Sequence, residues 1–520
     1  MEDYEQPLLF NSNYCHDPMN QENNNYLISQ REPCSIPSIS LNETEISPIN
    51  HGNISTADFL KEFYIELKKV WYLAGPSIFT SVCQYGLGAF TQIFAGQLGT
   101  VQLATISVEN SVIAGFGYGI LSGLGSALET LCGQAYGAKQ YGMLGIYMQR
   151  SWFILNTVAL PITFLFIFGT QVLKFLGQTP TISKEAGKFA MWMIPQQFAY
   201  AMMIPLTKFL QAQSRVMEMA IIAAIALCVH AFLGWFLILN LGWGLPGAAL
   251  VLNGSWWFIA LAQFLYVMAG SCGVAWPGFS WKALTNLSGF LKLSISSALM
   301  ECLGMWQLMA VVLLAGHLKN AEVTVAALSI CINILGWASM VGSGFNAAIS
   351  VRVSNELGSG RSRAAKFSVM VVGVISTLFG LLFAFVLLLQ RKQYPTLFST
   401  DNEVKHLVYE LTPYLGLSII FACLPLNGVA AGAGWQNFVA YMNLGCYFIF
   451  GTPFGILMCY KFDMGVKGLW YGMLLGVFLQ TIAVLLVISL ANWKKEAYAA
   501  QERLKQLGGE TQAQLPDDEN

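Results

Sequence analysis

GSALETLCGQAYGAKQYGMLG, residues 125–145, decides how this chain is read. An apolar segment ends there in a polar, glycine-studded elbow, and another apolar segment begins on its far side. AISVRVSNELGS, residues 348–359, stands in the same context. Sliding one over the other sets Gln134 on Asn355 and Gly137 on Gly358.

Other landmarks keep this displacement. AGQLG at 95–99 matches AGHLK at 315–319, LATIS at 103–107 matches VAALS at 325–329, Pro205-Leu206 matches Pro425-Leu426, and Gly244 and Gly247 match Gly465 and Gly468. All lie 220 to 222 residues apart. An offset this constant marks an internal repeat.

Hydrophobic residues make up 55% of the 520 and charged ones 11%, where a soluble chain carries about 25% charged. The chain therefore reads as an integral membrane protein. Apolar runs of about 20 residues, enough to cross a hydrocarbon core, recur near 71–96, 103–127, 147–169, 187–209, 216–240, 246–269, 291–315, 323–346, 366–389, 407–430, 440–460 and 466–490. Backbone amides cannot stay unpaired in lipid, so runs of this length are helices. The expected fold is all-α, with twelve transmembrane helices in two pseudo-symmetric lobes of six. Residues 1–57 read as a disordered cytoplasmic tail, 58–281 as the N-lobe, 282–491 as the C-lobe and 492–520 as a cytoplasmic C-terminal tail. Six helices per repeat insert both halves in the same direction, the pattern of transporters with parallel repeats and a midplane substrate site.

Lysine and arginine favour the cytoplasmic side. With the N-terminus inside, seventeen of those in residues 58–520 fall there and nine on the other face, so both termini are expected in the cytoplasm. Asn42 and Asn53 open N-x-S/T sequons, which this orientation places on the wrong side for use, and EQPLL at 5–9 loosely resembles an acidic dileucine sorting signal. A net charge of −1 gives no reason to expect a nucleic-acid partner. The eleven cysteines, scattered mostly in apolar runs and without CxxC pairing, read as small buried hydrophobes rather than disulfides or metal ligands. No HExxH, G-x-S-x-G or P-loop occurs, which argues against an enzyme. No cofactor is expected, and any pumping must draw on an ion gradient.

Ionisable groups at bilayer depth cost about 2.5 to 3.5 kcal/mol on insertion scales and mark functional sites. Glu109 in the second helix and Glu301 in the seventh meet that test; Glu129, Glu218 and Glu322 sit near helix ends, and His230 reads as a packing histidine. Desolvation disfavours an ionised carboxylate and an approaching cation favours it, so Glu301 and Glu109 suit exchange of a proton for a cation. Gln84, Tyr85, Asn110, Gln197, Trp306, Gln307 and Asn333 are the candidate cavity residues, amphipathic groups able to hold bulky organic solutes. GxxxGxxxG at Gly115, Gly119 and Gly123, and again at Gly468, Gly472 and Gly476, reads as helix-packing surface. Pro195, Pro205, Pro413 and Pro425 can kink the fourth and tenth helices.

ALETLCGQAYGA (127–138), MLGIYMQRSW (143–152), GFNAAISVRVSNELGSG (344–360), GVAAGAGWQ (428–436), VAYMNLGCYFIFG (439–451) and NWKKE (492–496) resemble the plant DETOXIFICATION group of multidrug and toxic compound extrusion (MATE) transporters. The resemblance covers about residues 58–505. It implies a V-shaped arrangement of two lobes around a central cavity. It also implies export or vacuolar loading of xenobiotics, alkaloids or flavonoid conjugates in exchange for protons. Two positions depart from the group's pattern. CLExWY reads CLGMWQ here, with Gly304 in place of a carboxylate and Gln307 in place of a tyrosine, and VDALSIC reads VAALSIC, with Ala326 in place of an aspartate. Glu301, three residues before Gly304 and about 4.5 Å along the axis on nearly the same face, is positioned to take over.

The leading expectation is a monomeric, proton-coupled antiporter with alternating access, in the vacuolar rather than the plasma membrane. The alternative is an uncoupled facilitator or anion channel of the vacuolar membrane, motivated by the loss of the two acids.

Overall fold

The computed structural model describes residues 56–508 except 317, 319, 320 and 400. The expectations attached to the N-terminal tail, its sequons and its dileucine-like stretch lie outside the described residues.

Among the described residues the chain is helical, with no strand. The N-lobe comprises α1 (Thr56–Leu98), α2 (Thr100–Gly137), α3 (Tyr141–Ile167), α4 (Pro180–Ala212), α5 (Val216–Asn240) and α6 (Gly244–Ser271). The C-lobe comprises α7 (Leu287–Ala315), α8 (Ala321–Gly358), α9 (Ser362–Leu389), α10 (Asn402–Ala433), α11 (Gln436–Lys461) and α12 (Val466–Leu490). The stretch read as a tail is helical over α13 (Trp493–Gly508). Ten of the twelve long helices, by length and composition, are apolar enough to cross a membrane. The other two, α1 and α4, are diluted by prolines, hydroxyls and amides, among them Gln84, Gln196 and Gln197.

The repeat is written into the backbone. Left-handed residues occur in matched pairs: Lys139 (φ 59°) with Gly360 (77°), Ser214 (61°) with Gly434 (82°), Gly242 (67°) with Asp463 (53°), and Gly244 (59°) with Gly465 (57°). Left-handed backbone favours glycine. Each half nevertheless holds the same turn where it carries lysine, serine or aspartate, so the fold imposes the turn on the residue.

One apolar core fills the N-lobe around Leu128, Tyr147, Phe189 and Phe209, and a second fills the C-lobe around Leu411, Ile419 and Trp470. A third lies where α1, α8, α9 and α13 meet, with Val70, Phe345, Val353 and Trp493 at its centre. The lobes touch through symmetry-related helices, α1 on α8 and α2 on α7, and through α2 on α8. The first GxxxGxxxG stripe serves the α2–α7 contact: a Cβ on Gly123 would lie 2.6 Å from the Ala298 Cα, and one on Gly119 would lie 2.9 Å from the Met305 Sδ. The second packs α12 on α11 and on Gln307 of α7. Of the four prolines, Pro195, Pro205 and Pro413 lie inside continuous helix; only Pro425 sits at a break, between Cys423 and Leu426 within α10.

Candidate functional site: the lobe interface

The elbows differ from the reading of them as turns. Both helices run on through the motif, α2 to Gly137 and α8 to Gly358, and only residues 138–140 and 359–361 leave the helix. Small and amide residues stand there because helix meets helix. A Cβ on Gly137 would overlap the backbone carbonyl of Asn355, and a Cβ on Gly358 would overlap that of Gln134. The amides complete the exchange: Gln134 Nε2 donates to the Gly432 carbonyl at 3.1 Å, and Asn355 Nδ2 to the Ala212 carbonyl at 3.3 Å. Each reaches the same point of the opposite lobe, so the pseudo-two-fold axis passes between the elbows.

Further polar contacts clamp this side. Thr130 donates to the Ala431 carbonyl at 2.5 Å and accepts from Gln436 Nε2 at 2.6 Å. Arg352 of α8 holds Glu66 of α1 with two bonds of 2.9 and 3.0 Å, and Ser368 adds a third. From α13, Arg503 Nη1 donates to Gln134 Oε1 at 2.7 Å, and the Leu507 carbonyl accepts from Arg150 of α3 at 2.8 Å. The same helix meets the C-lobe, where Trp435 Nε1 donates to Glu496 at 2.9 Å. A charged pair this shielded needs good geometry to offset desolvation, and the two-pronged Glu66–Arg352 arrangement supplies it.

Deeper along α2 and α4 the polar residues form two groups. In the N-lobe, Glu109 opens a π-helical turn (Glu109–Ala114), is 1% exposed, and leaves Oε1 without a hydrogen-bond partner. Such bulges recur at functional sites. Gln197 is fully buried with both amide atoms unpartnered, and glycine at 117 makes room for it. Gln196 donates to the Tyr200 hydroxyl at 2.5 Å, and the Tyr200 ring meets that of Tyr118 edge-on at 5.0 Å. Asn110 of α2 and Gln84 of α1 are partly buried, Gln84 against the sulfur of Met203 on α4.

The second group lies where α7 crosses α2. Glu301 falls between Ala298 and Met305 on the face that meets Gly123 and Gly119. It interacts with the Ser122 hydroxyl and with the charges of Lys208 and Glu129. Lys208 of α4 and Glu129 of α2 are themselves ion-paired, with side chains 18% and 12% exposed. Reading Glu129 as a solvated helix end and Lys208 only as a cytoplasmic charge missed this. Their opposite signs near two helix ends are visible in the sequence; the interface that buries them is not.

The remaining candidates separate. The Tyr85 ring meets Trp337 across the interface at 4.8 Å. Gln307 is buried inside the C-lobe, donating to the Met473 carbonyl at 3.4 Å, while Trp306 and Asn333 are exposed. A Cβ at Gly304 would lie 4.0 Å from the Tyr447 ring. His230 is satisfied by Thr91 at 3.0 Å and Ser255 at 2.8 Å.

The family model MatE matches residues 76–236 and again residues 296–457, two copies at the displacement the elbows define. The chain belongs to the MatE family. It is thus a multi-pass membrane transporter and not an enzyme. It is 54% identical over 486 residues to Protein DETOXIFICATION 29 of Arabidopsis thaliana, covering 93% of this chain and 96% of that one. To Protein DETOXIFICATION 30 of the same plant it is 53% identical over 491 residues, 94% of this chain and 97% of the relative. Among solved structures, the eukaryotic MATE transporter AtDTX14 superposes with a TM-score of 0.82 at 36% identity, over 85% of this MatE chain and 99% of that one. An outward-facing multidrug resistance MATE family transporter shares the V-shaped fold at a TM-score of 0.73, with 15% identity over 84% of this chain and 97% of that one.

Proposed function

We propose that this MatE transporter is a proton-coupled exporter of organic solutes, working by alternating access from a state closed on the elbow side. With the elbows in the cytoplasm, that state opens toward the opposite compartment, the vacuolar lumen being the favoured one. Glu301 is the coupling carboxylate. One observation carries the reading: a carboxylate of the C-lobe lies at the lobe interface beside an N-lobe ion pair. Such a group changes its charge at the surface along which the lobes must part. Glu109, buried with an unpartnered oxygen, is the second titrating group, and Gln84, Asn110, Gln197 and Tyr85 line the N-lobe side of the substrate path. Sealed vesicles loaded with a fluorescent organic cation test this. Efflux is expected to follow an imposed pH gradient in the parent and to lose that dependence in Glu301→Gln. Efflux indifferent to both the gradient and the substitution would overturn proton coupling at Glu301. A substrate-independent current under an anion gradient would favour a channel instead.

A further inference from the structure

Three charged side chains from three helices and both lobes meet beside the α2–α7 contact. Glu129 and Lys208 belong to the N-lobe and pair with each other, and Glu301 approaches from the C-lobe. Lys208 is ion-paired to Glu129 and also feels the charge of Glu301, so one negative charge is in excess whenever both carboxylates are ionised. The groups facing Glu301 are few. From α2 come Tyr118, Ser122 and Glu129; from α4 comes Lys208; Cys302 adjoins it on α7, and α11 presents Tyr447 beside Gly304. Lys208 is the cation among them. Its attraction for Glu129 acts inside the N-lobe, whereas its attraction for Glu301 acts between the lobes. Burial makes such attractions strong and leaves an unpaired charge costly.

We propose that Lys208 is a positioning residue that converts the charge on Glu301 into closure of the lobes. Ionised Glu301 shares the ammonium and draws α7 onto α2 and α4. Protonated Glu301 leaves Lys208 to Glu129, and the interlobe attraction is lost. An organic monocation bound at Glu301 competes with the ammonium for the same excess charge, so cargo and proton loosen the same contact. The proposal rests on Glu301 being the coupling carboxylate, and its test separates the two claims.

Full-length protein in nanodiscs, with Cys228→Ser removing the exposed thiol among the described residues and Cys15 and Cys34 also changed to serine, carries spin labels at Lys139→Cys and Arg363→Cys, exposed positions just beyond the two elbows. The interlobe distance distribution is recorded in acidic and alkaline buffer. The parent is expected to favour the short distance more at alkaline pH, by a factor on the order of ten, within the usual range of coupled equilibria. Glu129→Gln frees the ammonium for Glu301, so the pH-dependent change should persist and grow. The double variant Glu129→Gln with Lys208→Met strands no unpaired partner of that ion pair and should abolish the change; Lys208→Arg should retain it. If the double variant keeps the parental pH response while Glu301→Gln removes it, Lys208 has no such role and Glu301 still couples. If Glu301→Gln keeps the response too, the coupling assignment itself fails. A thermal unfolding midpoint for each variant identifies a misfolded protein, and Lys208→Arg losing the response while folded would also overturn the proposal.

Discussion

Alanine at Gly358 is the most local perturbation the elbow geometry permits. The added Cβ would overlap the backbone carbonyl of Gln134, an atom that no side-chain rotation can move aside. Overpacking of this kind costs about 1 to 3 kcal/mol. Under the proposed alternating access, the cost falls on the state in which the elbows touch and not on one in which they part. Converted at about 1.4 kcal/mol per decade, the closed population drops relative to the open one by roughly 5- to 150-fold. Ser354 is the reporter, being fully buried against Gly133 at the same junction. In a background with Cys15, Cys34 and Cys228 changed to serine, Ser354→Cys should react with maleimide faster by a comparable factor once Gly358→Ala is added. Gly137→Ala, which meets the carbonyl of Asn355, should act alike. Gly373→Ala on α9, where an added Cβ has nothing within 4 Å, should leave the rate unchanged. Equal labelling of Gly358→Ala and Gly373→Ala, with both proteins folded, would refute the claim that the elbows form the closing contact.

Glu66→Gln removes a charge that accepts from both Arg352 and Ser368. Hydrogen bonds to charged groups contribute about 1.5 to 3 kcal/mol, and a loss of that order should speed labelling at Ser354→Cys, though less than Gly358→Ala because Glu356 still holds Arg352 at 2.9 Å. Arg503→Ala cuts the bond from α13 to Gln134 and should raise the same rate severalfold while the thermal midpoint measured by intrinsic fluorescence stays close to the parent's. Gly304→Glu returns a carboxylate to a position with open space up to the Tyr447 ring; efflux from vesicles should then depend more steeply on the pH gradient than in the parent.

The twelve helices and the two-fold repeat were legible because each leaves a mark along the chain. Hydrocarbon thickness sets run length, and a duplicated backbone keeps its punctuation, as Gly244 and Gly465 show with φ of 59° and 57°. The elbows were legible as a pair but not as a contact. Glycine announces either a turn or a close approach, and only the structure shows that Gly137 and Gly358 are the second while Lys139 and Gly360 make the turns. Carboxylates at bilayer depth could be listed from hydropathy, but Glu109, buried, and Glu301, partly buried, differ in what surrounds them, and that depends on which lobe packs against which. Lys208 illustrates the limit. Near a helix end it looks like any solvated lysine, and its meaning comes from Glu129 79 residues earlier and Glu301 from the other lobe. Arg503 was hidden for the same reason, in a stretch whose polar sequence resembles a tail until both lobes lie beneath it.

Counting protons against cargo decides whether Glu301 couples the two fluxes. Purified protein in liposomes enclosing a pH-sensitive dye, with no gradient imposed, is given an organic cation on one side, and the dye reports proton movement as the cation crosses. Proton movement opposite to the cation is expected in the parent, abolished by Glu301→Gln while cation binding to the detergent-solubilised protein persists. Cation crossing with no proton movement in the parent, or with the parental proton movement in Glu301→Gln, would contradict it.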